Sequence, residues 1–355
     1  MIIWDEIVSD WERTLDKYGL LIEKRLSNFL KDEAEEARSY HTFIGRLYGD
    51  LNDYVLRGGK RLASCSAILT YEGFTEEIDD RILMACVGIE LYRHSILVHD
   101  DLVDNDELRR GASTIHATYS KGYDARFGEG LAVFAGNILY TLALKAFTLS
   151  GFENEKTVKA MHLLNDAFRA VNESQVLDFL FEYEKPDVDE WYIMASKRAA
   201  SLFKASLLIG ALLADASKKD LKLLEEAAEH IGYCFDIQDD IIDTFASEKQ
   251  YGRKPGGDLA KHKKPLHIVY TYEMATRSQL DAVEDAVLDE SPLEGLAAVR
   301  KIISDCGALE AAKNHSKKHA DSAKRLISET NMSEEAKKFF ISFIDYVKES
   351  LDWYK

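Results

Sequence analysis

The chain has 355 residues, 46% of them hydrophobic, and carries a formal net charge of −17 from 62 acidic and 45 basic side chains. That length can bury a large core, and the acidic balance argues against nucleic acid, whose phosphates select basic surface, and against attraction to an anionic membrane. The longest uncharged stretch, Gly130 to Leu144, contains Asn137 and Thr141 and is shorter than the ~20 apolar residues of a membrane span, so no integral membrane segment is expected.

No charged-then-apolar leader opens the sequence, where Asp5 and Glu6 come early. Cys65, Cys86, Cys234 and Cys306 stand in apolar surroundings without a CxxC pair, the pattern of reduced, buried thiols in a cytoplasmic protein. Few prolines and no Ser/Gly/Pro-rich linker point to a single domain over residues 1–355. Apolar residues recur at helical spacing, as in Ile82, Cys86, Ile89 and Ile96 and again in Leu202, Ala205, Leu208 and Leu212. Strand-like alternation is scarce, so the expected class is all-α, a helical bundle around a central cavity.

Along the chain, breaks are expected at Gly58-Gly59, Gly73, Asn105 to Thr114, Gly122 to Gly130, Ser150-Gly151, Glu184 to Asp189 and Glu248 to Pro265. The segments 81–104 and 221–245 read as buried helices that end in aspartate clusters, at one rim of the cavity. From about Ala311, Lys/Glu-rich stretches with an apolar stripe of Phe339, Phe340, Phe343, Tyr346 and Val347 read as outer helices.

The two clusters, Asp100-Asp101-Leu102-Val103-Asp104 and Asp239-Asp240-Ile241-Ile242-Asp243, have one form. On a helix the first and last aspartates of each share a face, with the middle one about 100° round the axis. Like charges at that spacing repel, so two such clusters call for a cation, and oxygen-only ligands suit magnesium with positions left open for phosphate. Motifs with basic residues or glycines surround them: Arg57-Gly58-Gly59-Lys60-Arg61, Arg109-Arg110-Gly111, Lys197-Arg198, Gly252-Arg253-Lys254, Gly256-Gly257-Asp258 and Lys263-Lys264. Glycines beside a lysine let backbone approach phosphate, and paired arginines offer forked donors.

In this order the motifs resemble the trans-isoprenyl diphosphate synthases over roughly residues 20 to 350. The resemblance implies a homodimeric, magnesium-dependent prenyltransferase that condenses an allylic prenyl diphosphate with isopentenyl diphosphate. It implies three magnesium ions held among Asp100, Asp101, Asp104, Asp239, Asp240 and Asp243. It also places Arg109, Lys197 and Arg253 on the allylic diphosphate, Lys60 and Arg110 on isopentenyl diphosphate, and Arg61 and Lys263 at substrate.

Six positions depart from the family pattern, two of them mildly: Arg253 stands for a lysine and Asn137 for an aspartate. Ala63 stands for an arginine and Arg93 for a histidine, both of which hold isopentenyl diphosphate in the family. Arg198 stands for a threonine and Asp236 for a glutamine near the reacting carbons. A gained cation beside a gained anion suggests that Arg198 or Arg93 pairs with Asp236. In the family the residue five before the first aspartate faces the elongation tunnel. Here it is the small Ser95, with Tyr92 on the same face about 4.5 Å deeper. A floor at Tyr92 implies a geranylgeranyl or geranylfarnesyl product. The departures leave two alternatives open: a same-fold enzyme that ionises a prenyl diphosphate but uses another acceptor or water, and a partner subunit of a heteromeric synthase.

Overall fold

The structure, a computed structural model, describes residues 10–248, 255–288 and 292–349. It is helical, apart from one hairpin of two-residue strands. The chain gathers into two compact units, Met1–Asn165 with Ser206–Ser217 and Met332–Phe339, and Asp166–Ala205 with Lys218–Asn331 and Phe340–Lys355.

The first unit opens with α1 (Asp10–Tyr40), α2 (Thr42–Leu56) and α3 (Leu62–Thr75), which lead to α4 (Asp80–Val103). Asp79 caps α4 by accepting from the Arg81 and Ile82 amides, a carboxylate placed where the helix dipole favours one. From there α4 is buried along nearly its whole length, as its apolar sequence requires. It is covered by α1, α3 and α6 (Ala125–Thr148). Gly88 lets α6 approach closely, because a Cβ there would lie 2.7 Å from the Phe147 ring. Between α4 and α6 come β1 (Leu108–Arg109), β2 (Ala112–Ser113) and α5 (Ile115–Gly122); Leu108 pairs with Ser113 and Arg109 with Ala112.

The second unit takes the later part of α7 (Asn154–Leu180), then α8 (Val188–Ala195), the start of α9 (Ala199–Leu213) and α10 (Lys218–Phe245). After these come α11 (Gly257–Ala260), α12 (Leu266–Met274), α13 (Arg277–Leu288), α14 (Pro292–Asp305) and α15 (Ala308–Ser328). The last helix is α16 (Glu334–Val347). Trp191, Ile237, Ile241, Leu266 and Ala312 form a core that holds α10 against α8, α12 and α15.

One expected break lies inside a helix and another is shorter than expected. Gly73 belongs to α3, where a Cβ would meet that of Ala336 at 2.9 Å; the glycine marks a close approach rather than a turn. The break at Gly122 to Gly130 shrinks to Tyr123 and Asp124, since Asp124 caps α6 through the Phe127 amide. The resulting α6 extends well beyond the uncharged stretch at its centre. By length and composition alone α4 and α6, with 24 residues each, are long and apolar enough to cross a membrane, but α4 lies 83% buried within the protein over its most apolar window.

Candidate active site

Both aspartate clusters fall at the C-terminal ends of their helices, where unpaired carbonyls already make the potential negative. In the first unit, Arg109 supplies the compensating charge. Its Nε donates to Asp101 Oδ1 at 2.6 Å, and Nη2 donates to Asp100 Oδ2 at 3.2 Å. Tyr54 on α2 donates to the other Asp101 oxygen at 2.6 Å. Burial raises the proton affinity of Asp101 while the Arg109 and Tyr54 bonds oppose that rise. Burial also works against the Arg109 charge, and Asp101 and Asp100 outweigh it. Asp100 and Asp104 are half-buried on the more open side.

The loop before α3 explains its own sequence. Gly58 and Gly59 both have positive φ, and Arg61 follows at φ +50. Arg110 donates to the Gly58 carbonyl, and its guanidinium covers Gly59 so closely that a Cβ there would lie 2.6 Å from Nη2. Arg57 ties the hairpin to this loop by donating to the Ser113 carbonyl at 2.8 Å. Burial lowers the proton affinity of Arg110, and Arg61, Arg93 and Arg109 lower it further, as expected where cations are gathered. Lys60 is exposed, with Nζ 5.0 Å from the Trp11 ring centroid.

Arg61 differs from its expected role as a substrate ligand. Its side chain is 2% exposed and forms an ion pair with Glu90 at 2.9 Å, donates to Glu23 at 3.1 Å and to the Val55 carbonyl at 2.9 Å. Held by two carboxylates and a carbonyl inside the core, the guanidinium fixes the loop. Ala63 is buried. Arg93 is half-buried on α4, while Tyr92 and Ser95 are fully buried; the Tyr92 ring lies 6.5 Å from that of Tyr140 on α6.

In the second unit the shared face of the cluster is not the expected one. Asp236, Asp240 and Asp243, spaced four and three apart, turn to the protected side of α10 while Asp239 is exposed. Arg198, in the turn between α8 and α9, bridges three carboxylates: Nε to Asp236 at 2.8 Å, Nη2 to Asp240 at 3.2 Å and Nη1 to Asp178 on α7 at 3.3 Å. The expected pairing of Arg198 with Asp236 is therefore present. Lys263 reaches Asp178 at 3.5 Å, and Lys197 is exposed in an ion pair with Glu173. Asp243 Oδ2 accepts the Asp258 amide at 3.1 Å, which holds the start of α11. Burial pushes Asp236 up to about 6 against the pull of Arg198, and burial with Asp243 nearby does the same to Asp258. Arg253 lies outside the described residues.

Five carboxylates, Asp178, Asp236, Asp240, Asp243 and Asp258, thus share this region with Arg198 and Lys263. Such an oxygen-only, anion-rich donor set fits a hard divalent cation. Among the described residues no three acidic or imidazole side chains are arranged around a common metal-sized point. Arg109 and Arg198 stand among the aspartates instead. Tyr54, Glu90 and Asp178 were not legible as site residues, because each is a lone polar residue whose neighbours come from distant sequence.

A polyprenyl synthetase family profile matches residues 46–305. A short chain isoprenyl diphosphate synthase of Methanocaldococcus jannaschii is 32% identical over 243 residues, 68% of this chain and 71% of that protein. A geranylgeranyl diphosphate synthase of Methanosarcina mazei is 34% identical over 260 residues, covering 72% and 75%. In fold, the chain is similar to a geranylgeranyl pyrophosphate synthase from Corynebacterium glutamicum, crystallised with isoprenyl diphosphate and magnesium. The TM-score is 0.88 over 95% of this chain and 99% of that one, at 21% identity. With the profile spanning most of the sequence, the chain belongs to the polyprenyl synthetase family of prenyltransferases.

Proposed function

We propose that this prenyltransferase condenses an allylic prenyl diphosphate with isopentenyl diphosphate and releases geranylgeranyl or geranylfarnesyl diphosphate. The observation that carries the reading is the pair of aspartate clusters at helix C-termini, each already balanced by an arginine. Asp100, Asp101 and Asp104 in one unit and Asp239, Asp240 and Asp243 in the other would hold magnesium. When bound, magnesium supplies the positive charge that makes diphosphate a good leaving group.

The chain's own residues account for the remaining requirements. Arg109, together with Lys197 and Arg253, holds the allylic diphosphate; Lys60, Arg93 and Arg110 hold that of isopentenyl diphosphate. Arg61 keeps their loop in place. The allylic C–O bond breaks with its electron pair leaving on the diphosphate, and the isopentenyl double bond attacks the allylic carbon. Released pyrophosphate takes the proton lost from the condensed product, so no side-chain nucleophile is needed. Buried Tyr92 would form the floor that limits chain growth.

Arg198 and Asp236 satisfy each other, so their departure from the family pattern needs no other acceptor. Exposed Val133 and Phe134 on α6 support a homodimer, which sedimentation at micromolar concentration checks. Three buried thiols, a half-buried Cys306 and an acidic composition suit the cytoplasm. The reaction is tested by incubating the protein with magnesium and farnesyl diphosphate, with and without isopentenyl diphosphate. Pyrophosphate release matched one-for-one by isopentenyl consumption is expected. Release without consumption would reassign the acceptor.

A further inference from the structure

The two arginines that balance the clusters are anchored differently. Arg109 is held by Asp100, Asp101 and, at 3.9 Å, by the adjacent Asp106, and it sits on a two-residue strand of the hairpin. Its acidic partners belong to the first cluster or lie next to it in sequence. Arg198 has one partner in the second cluster, Asp240, and two outside it. Asp178 comes from α7 and Asp236 from one turn earlier on α10; both are about 90% buried. An arginine fixed from outside the cluster keeps its position when Asp240 changes partner, and its five donors in a rigid fork make the three-way contact hard to replace with one cation.

We propose that Arg198 is a tethered cation that tunes magnesium affinity at the second aspartate cluster, with Asp178 and Asp236 as its anchors. The inference rests on the reading that this cluster takes magnesium. A guanidinium that shares Asp240 with a divalent ion repels that ion, and its two carboxylate anchors offset part of its charge and draw it off Asp240. Arg198 is therefore a positioning residue: it keeps Asp240 oriented before metal arrives and weakens the metal's hold afterwards. Asp236 matters through Arg198, because loosening the anchor lets the guanidinium lean further on Asp240.

Two variants separate this role from mere packing. R198T/D236Q removes a cation and an anion together, so no buried charge is stranded; D236Q alone keeps the cation and weakens its anchor. Magnesium chloride is titrated into the full chain by calorimetry, and thermal melting is followed across the same magnesium range. R198T/D236Q is expected to bind magnesium about tenfold more tightly than the unaltered protein, with a larger rise in melting temperature on adding metal. D236Q is expected to bind it more weakly. A purely structural Arg198 would lower the melting temperature of both variants equally at every magnesium concentration and leave affinity unchanged, and that result overturns the proposal. A shift of both affinities in the same direction overturns it too. If the unaltered protein binds no magnesium, the reading of the cluster fails and takes this inference with it. If elongation proceeds normally but the variants show unaltered affinity, only this inference fails.

Discussion

Arg61 shows how far residue identity falls short of residue role. Lys60 and Arg61 are adjacent cations in a glycine-led loop, and sequence alone reads both as anion ligands. The left-handed backbone at Arg61 separates them, leaving Lys60 exposed and Arg61 in the core with Glu90, itself 3% exposed. Arg61→Ala strands that buried carboxylate and is expected to cost about 3–5 kcal/mol in urea unfolding, far more than Lys60→Ala. Equal costs would mean that Glu90 finds another partner. Asp101 is held by neighbours from two other elements, Tyr54 on α2 and Arg109 on β1. Its two oxygens are held by Tyr54 and Arg109, so Asp101→Asn keeps the shape but removes the charge. A fall in kcat of about a hundredfold or more is expected, with stability changed by only about 1–2 kcal/mol. Undiminished kcat would remove Asp101 from the metal-binding set.

At the scale of elements, α4 and α10 were legible because apolar periodicity and terminal aspartates occur in the sequence itself. The face that α10 presents was not. The spacing of Asp239 and Asp243 suggests one face, yet packing against α8, α12 and α15 sets the helix rotation, burying Asp236 and Asp243 and half-burying Asp240. Asp178 was invisible for a related reason, since only α7 packing brings it to Arg198. The gained charges at Arg198 and Asp236, by contrast, did announce their pairing. On α4, Tyr92 and Ser95 share a buried face near α6. Tyr92→Ala is expected to lengthen the prenyl product by at least one five-carbon unit, read by chromatography of the dephosphorylated chains. Unchanged length would place the floor of the cavity elsewhere.

For the molecule as a whole, helical class follows from composition and period, whereas the division into two units does not. The boundary between Asn165 and Asp166 falls inside α7, where no linker or composition shift marks it. Titration acts at this scale. Burial pulls His94 and His319 down to about 4 and His267 to about 3. Between the ordinary value of 6.5 and these values the unfolded chain binds protons that the folded chain does not, so stability falls as pH falls. For His94 the full effect is on the order of 3 kcal/mol. Asp236 and Asp258, raised to about 6, act in the opposite sense: below that pH the folded state holds their protons and regains stability. Magnesium favours the ionised carboxylates and suppresses that compensation. Melting temperature between pH 6.5 and 4 is therefore expected to fall more steeply with magnesium than without it, provided metal remains saturating. Parallel curves would show that metal binding does not reach the titration of these carboxylates.

The most direct test of the central claim is the length of the chain that the purified protein makes from farnesyl diphosphate and labelled isopentenyl diphosphate with magnesium. Labelled products of twenty or twenty-five carbons, absent when magnesium is chelated, are the predicted result. Recovery of farnesol alone after dephosphorylation, with no label in any longer chain, would contradict the account.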